Sequence, residues 1–150
     1  WKNEKETKKV LKNGWLFTGD IGKFEGNFLK ITDRKKDIII TPGGDNISPI
    51  KIENDLNKSN FIEQCLVYGD NKPYLVCIIV LCSEYKNINK EIVQEEINKI
   101  NTNLSKIEKI KKFLIVNDQF TIENGMMTPT LKLKRYKIVK KFKLELEKLF

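Results

Sequence analysis

Leu75-Val76-Cys77-Ile78-Ile79-Val80-Leu81-Cys82 is the longest apolar run in the chain. It is strand-sized, well short of the roughly 20 apolar residues that a membrane-spanning helix needs. Gly69-Asp70-Asn71-Lys72-Pro73 stands just before it and reads as a turn. A shorter apolar run, Cys65–Tyr68, precedes that turn, so this region predicts two consecutive strands. Downstream, Val93, Ile97, Ile100, Leu104 and Ile107 recur at helical spacing, and Phe113–Val116 reads as a further strand. Upstream, Ser48-Pro49 opens a helix in the favoured way, with serine as N-cap and proline at the first helical position. Ile52 and Leu56 share one face of that helix. Val139, Phe142, Leu146 and Leu149 mark a last amphipathic helix, whose stripe reads as core. The order βαββαβα predicts an α+β domain, a small mixed or antiparallel sheet with packed helices.

The first third of the chain is organised differently. Lys2–Lys12 is charged and reads as a surface helix. Trp15–Phe17 and Asn27–Ile31 are short apolar runs separated by Gly19, Gly22 and Gly26, which predicts a β-hairpin or meander. A charged stretch, residues 33–37, leads to a strand Ile38–Ile40 and then to a Pro-Gly-Gly loop.

The chain has 150 residues, 40% of them hydrophobic and 32% charged, enough for one modest domain or one domain plus part of another. It carries no secretory signal, transit peptide or prenylation box, and its start at Trp1 suggests a piece of something longer. The net charge of +8 raises nucleic acid or an anionic membrane as partners. Yet the 26 lysines are scattered, His and Ala are absent, and Asn and Ile abound, the pattern of an AT-rich genome. That argues against a specific nucleic-acid partner. It also singles out the two arginines, Arg34 and Arg135, since lysine cannot replace a planar bidentate fork. Cys65, Cys77 and Cys82 lie in apolar runs with no CxxC spacing, as buried reduced thiols do. Without histidine, a His-based metal site or triad is excluded within this chain, and no metal ligands are assigned.

Four clusters are not what packing alone would choose. Thr18-Gly19-Asp20 ends an apolar strand, and a carboxylate there can accept both hydroxyls of a ribose diol; alone, the pair also reads as a turn. Asp33-Arg34-Lys35-Lys36-Asp37 reads either as a solvated connection or as a hinge. Thr41–Pro49 contains Gly43 and Gly44, permits close approach of backbone to a ligand, and leads into a helix N-terminus. Thr128–Arg135 places three cations in a short segment before a helix; if extended, Lys132 and Lys134 share a face, where one could reach a phosphate or simply guard an edge strand.

In this order the clusters resemble the adenylate-forming superfamily, which includes acyl-CoA synthetases, firefly luciferase and peptide-synthetase adenylation domains. GWLFTGDIGKFEGNFLKITDRKKDIIITPGGDNISPIKIE, residues 14–53, is similar to its block from the ribose aspartate through the hinge. FTIENGMMTPTLKLKR, residues 120–135, is similar to its C-terminal lysine motif in the form found in long-chain fatty acyl-CoA synthetases. The resemblance implies that Asp20 binds both ribose hydroxyls of the nucleotide, with Arg34 beside them. It implies a hinge at Lys36, a loop at Gly43 and Gly44 lining the pantetheine tunnel, and in Lys132 the lysine that reaches the carboxylate and α-phosphate during adenylation. Two positions depart from the pattern: Asp45 stands where glutamate is commoner, and Leu131 where shorter-chain and aryl members carry glycine.

The same resemblance implies that residues 1–33 are the tail of a large N-terminal domain and residues 34–150 a mobile C-terminal domain. The implied reaction joins a fatty acid to CoA through acyl-AMP, using ATP and Mg2+, with the metal held mainly by the large domain. The implied partners are fatty acid, ATP, CoA and that domain, with peripheral membrane association on the cytosolic side, or a cytoplasmic location. A medium-chain or aryl-acid ligase, or a basic non-catalytic module binding nucleic acid or membrane, are the rival expectations.

Overall fold

The computed structural model describes residues 2–150 and divides between Ile38 and Ile39 into two compact units. In the first, helix α1 spans Glu4–Val10. Asn3 caps it by accepting from the Glu6 N–H at 3.1 Å, and acids in its first turn with lysines in its last suit the helix dipole. Two hairpins follow, β1 (Leu11–Lys12) with β2 (Trp15–Leu16), and β3 (Asp20–Glu25) with β4 (Phe28–Arg34). Trp15 therefore pairs with Lys12 rather than with the strand after Gly26. The reason is Asn13-Gly14, where both residues take positive φ, 51° and 79°, as a tight hairpin turn requires. This unit leaves Trp15, Phe24, Phe28, Leu29 and Ile31 more than half exposed.

The second unit holds β5 (Ile39–Ile40), β6 (Asn46–Ile47), α2 (Pro49–Leu56), β7 (Ile62–Tyr68), β8 (Leu75–Leu81), a 3-10 turn at Ser83–Tyr85, α3 (Lys90–Thr102), β9 (Ile110–Val116), α4 (Arg135–Lys141) and α5 (Lys143–Glu147). β7, β8 and β9 form a three-stranded sheet in that order, antiparallel then parallel. The parallel pair needs a crossover, which α3 supplies.

Central strand β8 is buried along its whole length because both faces of the sheet are covered. Leu75, Cys77, Ile79 and Leu81 meet Ile52 and Leu56 of α2 and Val93 and Ile97 of α3. Val76, Ile78 and Val80 meet Phe120, Met126, Ile138, Phe142 and Leu146. Alternation along one strand thus feeds two cores, each fully buried aliphatic side chain contributing about 1.5–3 kcal/mol. This is the α+β arrangement with a small mixed sheet that the element order predicts.

Several elements differ in extent from the expectation: β7 and β9 each begin three residues earlier, at Ile62 and Ile110, and α1 is confined to Glu4–Val10. The strand at residues 38–40 shortens to Ile39–Ile40, with Ile39 buried and Ile40 exposed. Helix α3 ends at Thr102, before Leu104 and Ile107, because the Asn101 side chain turns the chain into β9, bonding both the N–H and the carbonyl of Ile110 at 2.9 Å. The last helix breaks at Phe142 into α4 and α5, yet Ile138, Phe142 and Leu146 keep one buried stripe. Cys65 and Cys77 are buried and Cys82 is half-buried; burial, with Cys65 beside it, pushes the Cys77 thiol up.

Candidate functional site

Asp20 opens β3 and Arg34 closes β4, so the hairpin register places them directly opposite each other. Arg34 Nε lies 3.1 Å from Asp20 Oδ1. Both side chains remain open to solvent, and Thr18 Oγ1 accepts from the Asp20 N–H at 3.1 Å. A carboxylate fixed from one side by a guanidinium retains acceptor positions for hydroxyls. The chain then turns through Lys35-Lys36-Asp37. Lys35 N–H donates to the Gly19 carbonyl at 2.8 Å, and the N–H groups of Asp37 and Ile38 to the Arg34 carbonyl at 2.9 and 3.2 Å. Lys36 lies at the apex of this turn, two residues before the boundary between the units.

Gly43 and Gly44 form the tip between β5 and β6. Thr41 and Asp45 close it, through the Asp45 N–H to Thr41 Oγ1 at 3.0 Å and the Thr41 N–H to the Asp45 carbonyl at 3.0 Å. Gly44 has a φ of +87°, which a side chain would strain, whereas Gly43 does not take a positive φ. The turn before β8 anchors this hairpin. Asp70 Oδ1 accepts from the Ile40 N–H at 3.0 Å, and the Asn71 N–H donates to the Ile40 carbonyl at 2.9 Å. Ser48, as N-cap of α2, accepts from the Lys51 N–H, so the loop runs into a helix N-terminus as the sequence implies.

Lys132 sits on a tight turn rather than in an extended strand. Thr128 N–H donates to the Lys132 carbonyl at 2.8 Å, Lys132 N–H to Thr128 Oγ1 at 3.0 Å, and Leu131 N–H to the Thr128 carbonyl at 2.9 Å. At the base, Met127 bridges Leu133, and the Lys134 N–H bonds the Met126 carbonyl at 2.7 Å. Gln64 holds the segment upstream, accepting from the Phe120 N–H at 2.7 Å and donating to its carbonyl at 2.9 Å. The Lys132 side chain is exposed, while Lys134 is half-buried.

Leu131 has a φ of +59°. Leucine in the left-handed region carries a cost of about 1–2 kcal/mol that glycine escapes. Its side chain is 67% exposed and gives little burial in return. Glycine also loses about 0.5–1 kcal/mol more on folding. Leu131→Gly should therefore leave the stability of the 150-residue chain unchanged or raise it by up to about 1 kcal/mol in urea denaturation. A clear loss would show that the leucine side chain is needed for folding.

Arg135 starts α4 and pairs with Glu53 of α2, a residue the sequence reading passed over. Arg135 Nη1 lies 2.8 Å from Glu53 Oε1, and Nη2 bonds Oε2, so the contact is bidentate. The Val67 N–H of β7 also donates to Glu53 Oε1, at 2.7 Å. Glu53 is 7% exposed. The pointer to this pair was the arginine itself, one of two among 28 cationic residues. The other, Arg34, also meets a carboxylate.

Asp20, Arg34 and Lys36 thus fall in the first unit, and Gly43, Gly44 and Lys132 in the second. Among the described residues, no group of three or more His, Cys, Asp or Glu side chains is placed to hold a metal ion, and no helix is long and apolar enough to cross a membrane.

Residues 36–150 match the family model described as AMP-binding enzyme C-terminal domain. The chain is 33% identical to the long-chain-fatty-acid–CoA ligase FadD15 of Mycobacterium tuberculosis, across 100% of its own length and 29% of that protein. It is 35% identical to the long-chain-fatty-acid–CoA ligase 5 of Mus musculus, across 99% of its own length and 25% of that protein. The chain thus spans about a quarter of the length of these relatives. Among solved structures it is similar to the adenylation domain of a carboxylic acid reductase from Segniliparus rugosus, in complex with AMP and a co-purified carboxylic acid. That likeness has a TM-score of 0.88 at 26% identity, covering 99% of this chain and 25% of the other. It is also similar to the O-succinylbenzoate coenzyme A synthetase of Bacillus subtilis, in complex with AMP, with a TM-score of 0.68 at 27% identity, covering 91% and 26%.

Proposed function

Because this chain belongs to the AMP-binding enzyme C-terminal domain family, we propose that it is the C-terminal part of an ATP-dependent long-chain fatty acid–CoA ligase. The enzyme joins a fatty acid to ATP, giving acyl-AMP and pyrophosphate, and then joins acyl-AMP to CoA, giving acyl-CoA and AMP. The observation that carries the reading is Lys132, an exposed cation that closes a tight turn, its own N–H and carbonyl both bonded back to Thr128. Attack of a carboxylate oxygen on the α-phosphorus gathers negative charge, and a preorganised ammonium stabilises it in a site from which water is excluded.

In this reading Asp20, steadied by Arg34, accepts the ribose hydroxyls. The Lys36 pivot divides the chain: the hairpin through Arg34 completes the large N-terminal domain, and the residues beyond the pivot form the domain that moves, so the division falls slightly after residues 33/34. The exposed apolar side chains of the first unit support this, because an isolated hairpin in water needs a covering surface. Rotation at Lys36 withdraws Lys132 and brings in the Gly43–Gly44 loop, whose lack of side chains lets backbone approach a pantetheine arm. Mg2+ is expected mainly on the large domain, and no step described for this chain's residues runs through it.

The long-chain assignment rests on the relatives and on the form of the lysine motif, since the solved structures include a carboxylic acid reductase and an O-succinylbenzoate coenzyme A synthetase. ATP–pyrophosphate exchange by the longer ligase, measured with long-chain, medium-chain and aryl acids, tests it. Long-chain fatty acids should give the highest kcat/KM, and a preference for aryl acids would overturn the acyl class. The 150-residue chain alone, given fatty acid, ATP, Mg2+ and CoA, should form no acyl-CoA above blank. Clear turnover would sink the two-domain reading.

A further inference from the structure

We propose that Arg135 and Glu53 form a positioning pair that sets where Lys132 is presented, an inference that rests on Lys132 being the adenylation lysine. Glu53 is the fixed half. It is buried on α2, beneath the sheet edge where the Val67 N–H of β7 grips Oε1. Arg135 is the half that carries the turn. It lies three residues beyond Lys132, directly after the Lys134–Met126 hydrogen bond that closes the hairpin base. Its fork meets both carboxylate oxygens, and Nη1 also reaches the Val67 carbonyl at 3.5 Å. The base of the Lys132 turn is thereby tied to the helix that follows the Gly43–Gly44 loop. One ion pair joins the segments serving the two half-reactions.

A purely structural role explains this pair poorly. A buried ion pair is weak grounds for stability, because desolvation cancels much of the attraction and an apolar pair of similar volume often serves as well. What a bidentate pair supplies is direction. Two parallel bonds fix the guanidinium plane, and a lysine makes only a point contact. In a chain with 26 lysines, arginine stands where a plane must be fixed. Misplacing a catalytic group by about 1 Å can cost about a hundredfold in rate, so the base of the turn is where such control matters.

The test uses the longer ligase with Arg135→Lys, and with the double substitution Glu53→Met plus Arg135→Met. Pyrophosphate exchange reads adenylation, acyl transfer from supplied acyl-AMP reads the second step, and thermal denaturation reads the fold. Arg135→Lys should lower the kcat of exchange about ten- to a hundredfold, with KM for ATP and the acyl-transfer rate little changed. The double variant leaves no charge unpaired but takes the acceptor from the Val67 N–H, so it should melt somewhat below wild type, stay folded at assay temperature and still be slow in exchange. Recovery of exchange together with stability in the double variant would overturn the proposal. So would Arg135→Lys matching wild type while exchange still depends on Lys132. If the double variant does not fold, Arg135→Lys decides. Exchange that is absent from the unmutated ligase, or indifferent to Lys132→Ala, would instead remove the reading of Lys132, and the pair's role with it.

Discussion

Lys132→Ala should slow adenylation by the ligase about two to three powers of ten, the usual loss for one charged transition-state contact. Thioester formation from supplied acyl-AMP should be largely spared, because that step needs the lysine withdrawn. The turn itself should survive the change. Its hydrogen bonds use the Lys132 backbone and the Thr128 hydroxyl, and the Lys132 side chain points to solvent. Lys134 is the control. It follows in the same motif but is half-buried at the hairpin base, where its N–H holds Met126. Lys134→Ala should therefore cost less in adenylation than Lys132→Ala. The reverse order would show that the lysine motif is misaligned by two residues.

How far the sequence alone reached depends on what each segment had to satisfy. Leu75–Leu81 was legible because a strand buried on both faces admits only apolar side chains, and the run states that directly. Ser48-Pro49 was legible because a cap and a first-turn proline are local chemistry. The pairing of Trp15 is set by Asn13-Gly14, a hairpin signal that competes in the sequence with Gly19, Gly22 and Gly26. The breaks at Asn101 and Phe142 could not be read from spacing. At Asn101 the cause is a side chain that bonds Ile110 nine residues on, and at Phe142 the buried stripe of Ile138, Phe142 and Leu146 runs straight through the break. Glu53 is the clearest case. On its helix it looks like one more solvated acid, and only the fold brings Val67 and Arg135 to it. Asp20 and Arg34 were separately suspect, but their pairing depends on a hairpin register that a bulge at Ile21/Gly22 shifts.

Lys36→Pro should separate the two half-reactions. A hinge residue must adopt two backbone conformations, and proline holds φ near −65°. No hydrogen bond of the turn is lost directly, since its bonds are donated by Lys35, Asp37 and Ile38, all of which keep their N–H groups. Proline also disfavours helical geometry at Lys35 before it, so a modest fall in the first step is expected. Adenylation should otherwise persist, because the first substrates are housed before any rotation. Thioester formation should be lost, because the Gly43–Gly44 loop cannot swing in. Pyrophosphate exchange and acyl transfer from preformed acyl-AMP measure the two steps separately. Equal loss in both, with a lowered melting temperature, would indicate a damaged fold rather than a trapped hinge. Full activity in both would move the pivot away from Lys36. The neighbouring Lys35, whose N–H is held by the Gly19 carbonyl at 2.8 Å, is already committed to the hairpin. Ile39, buried and paired with Ile47, is committed to the second unit. Between those two anchors only Lys36, Asp37 and Ile38 are left to absorb a rotation, and the Asp37 and Ile38 N–H groups both hold the Arg34 carbonyl. Both of those bonds span Lys36, so a rotation there must release them, and the rotated state has to offer the two N–H groups other partners.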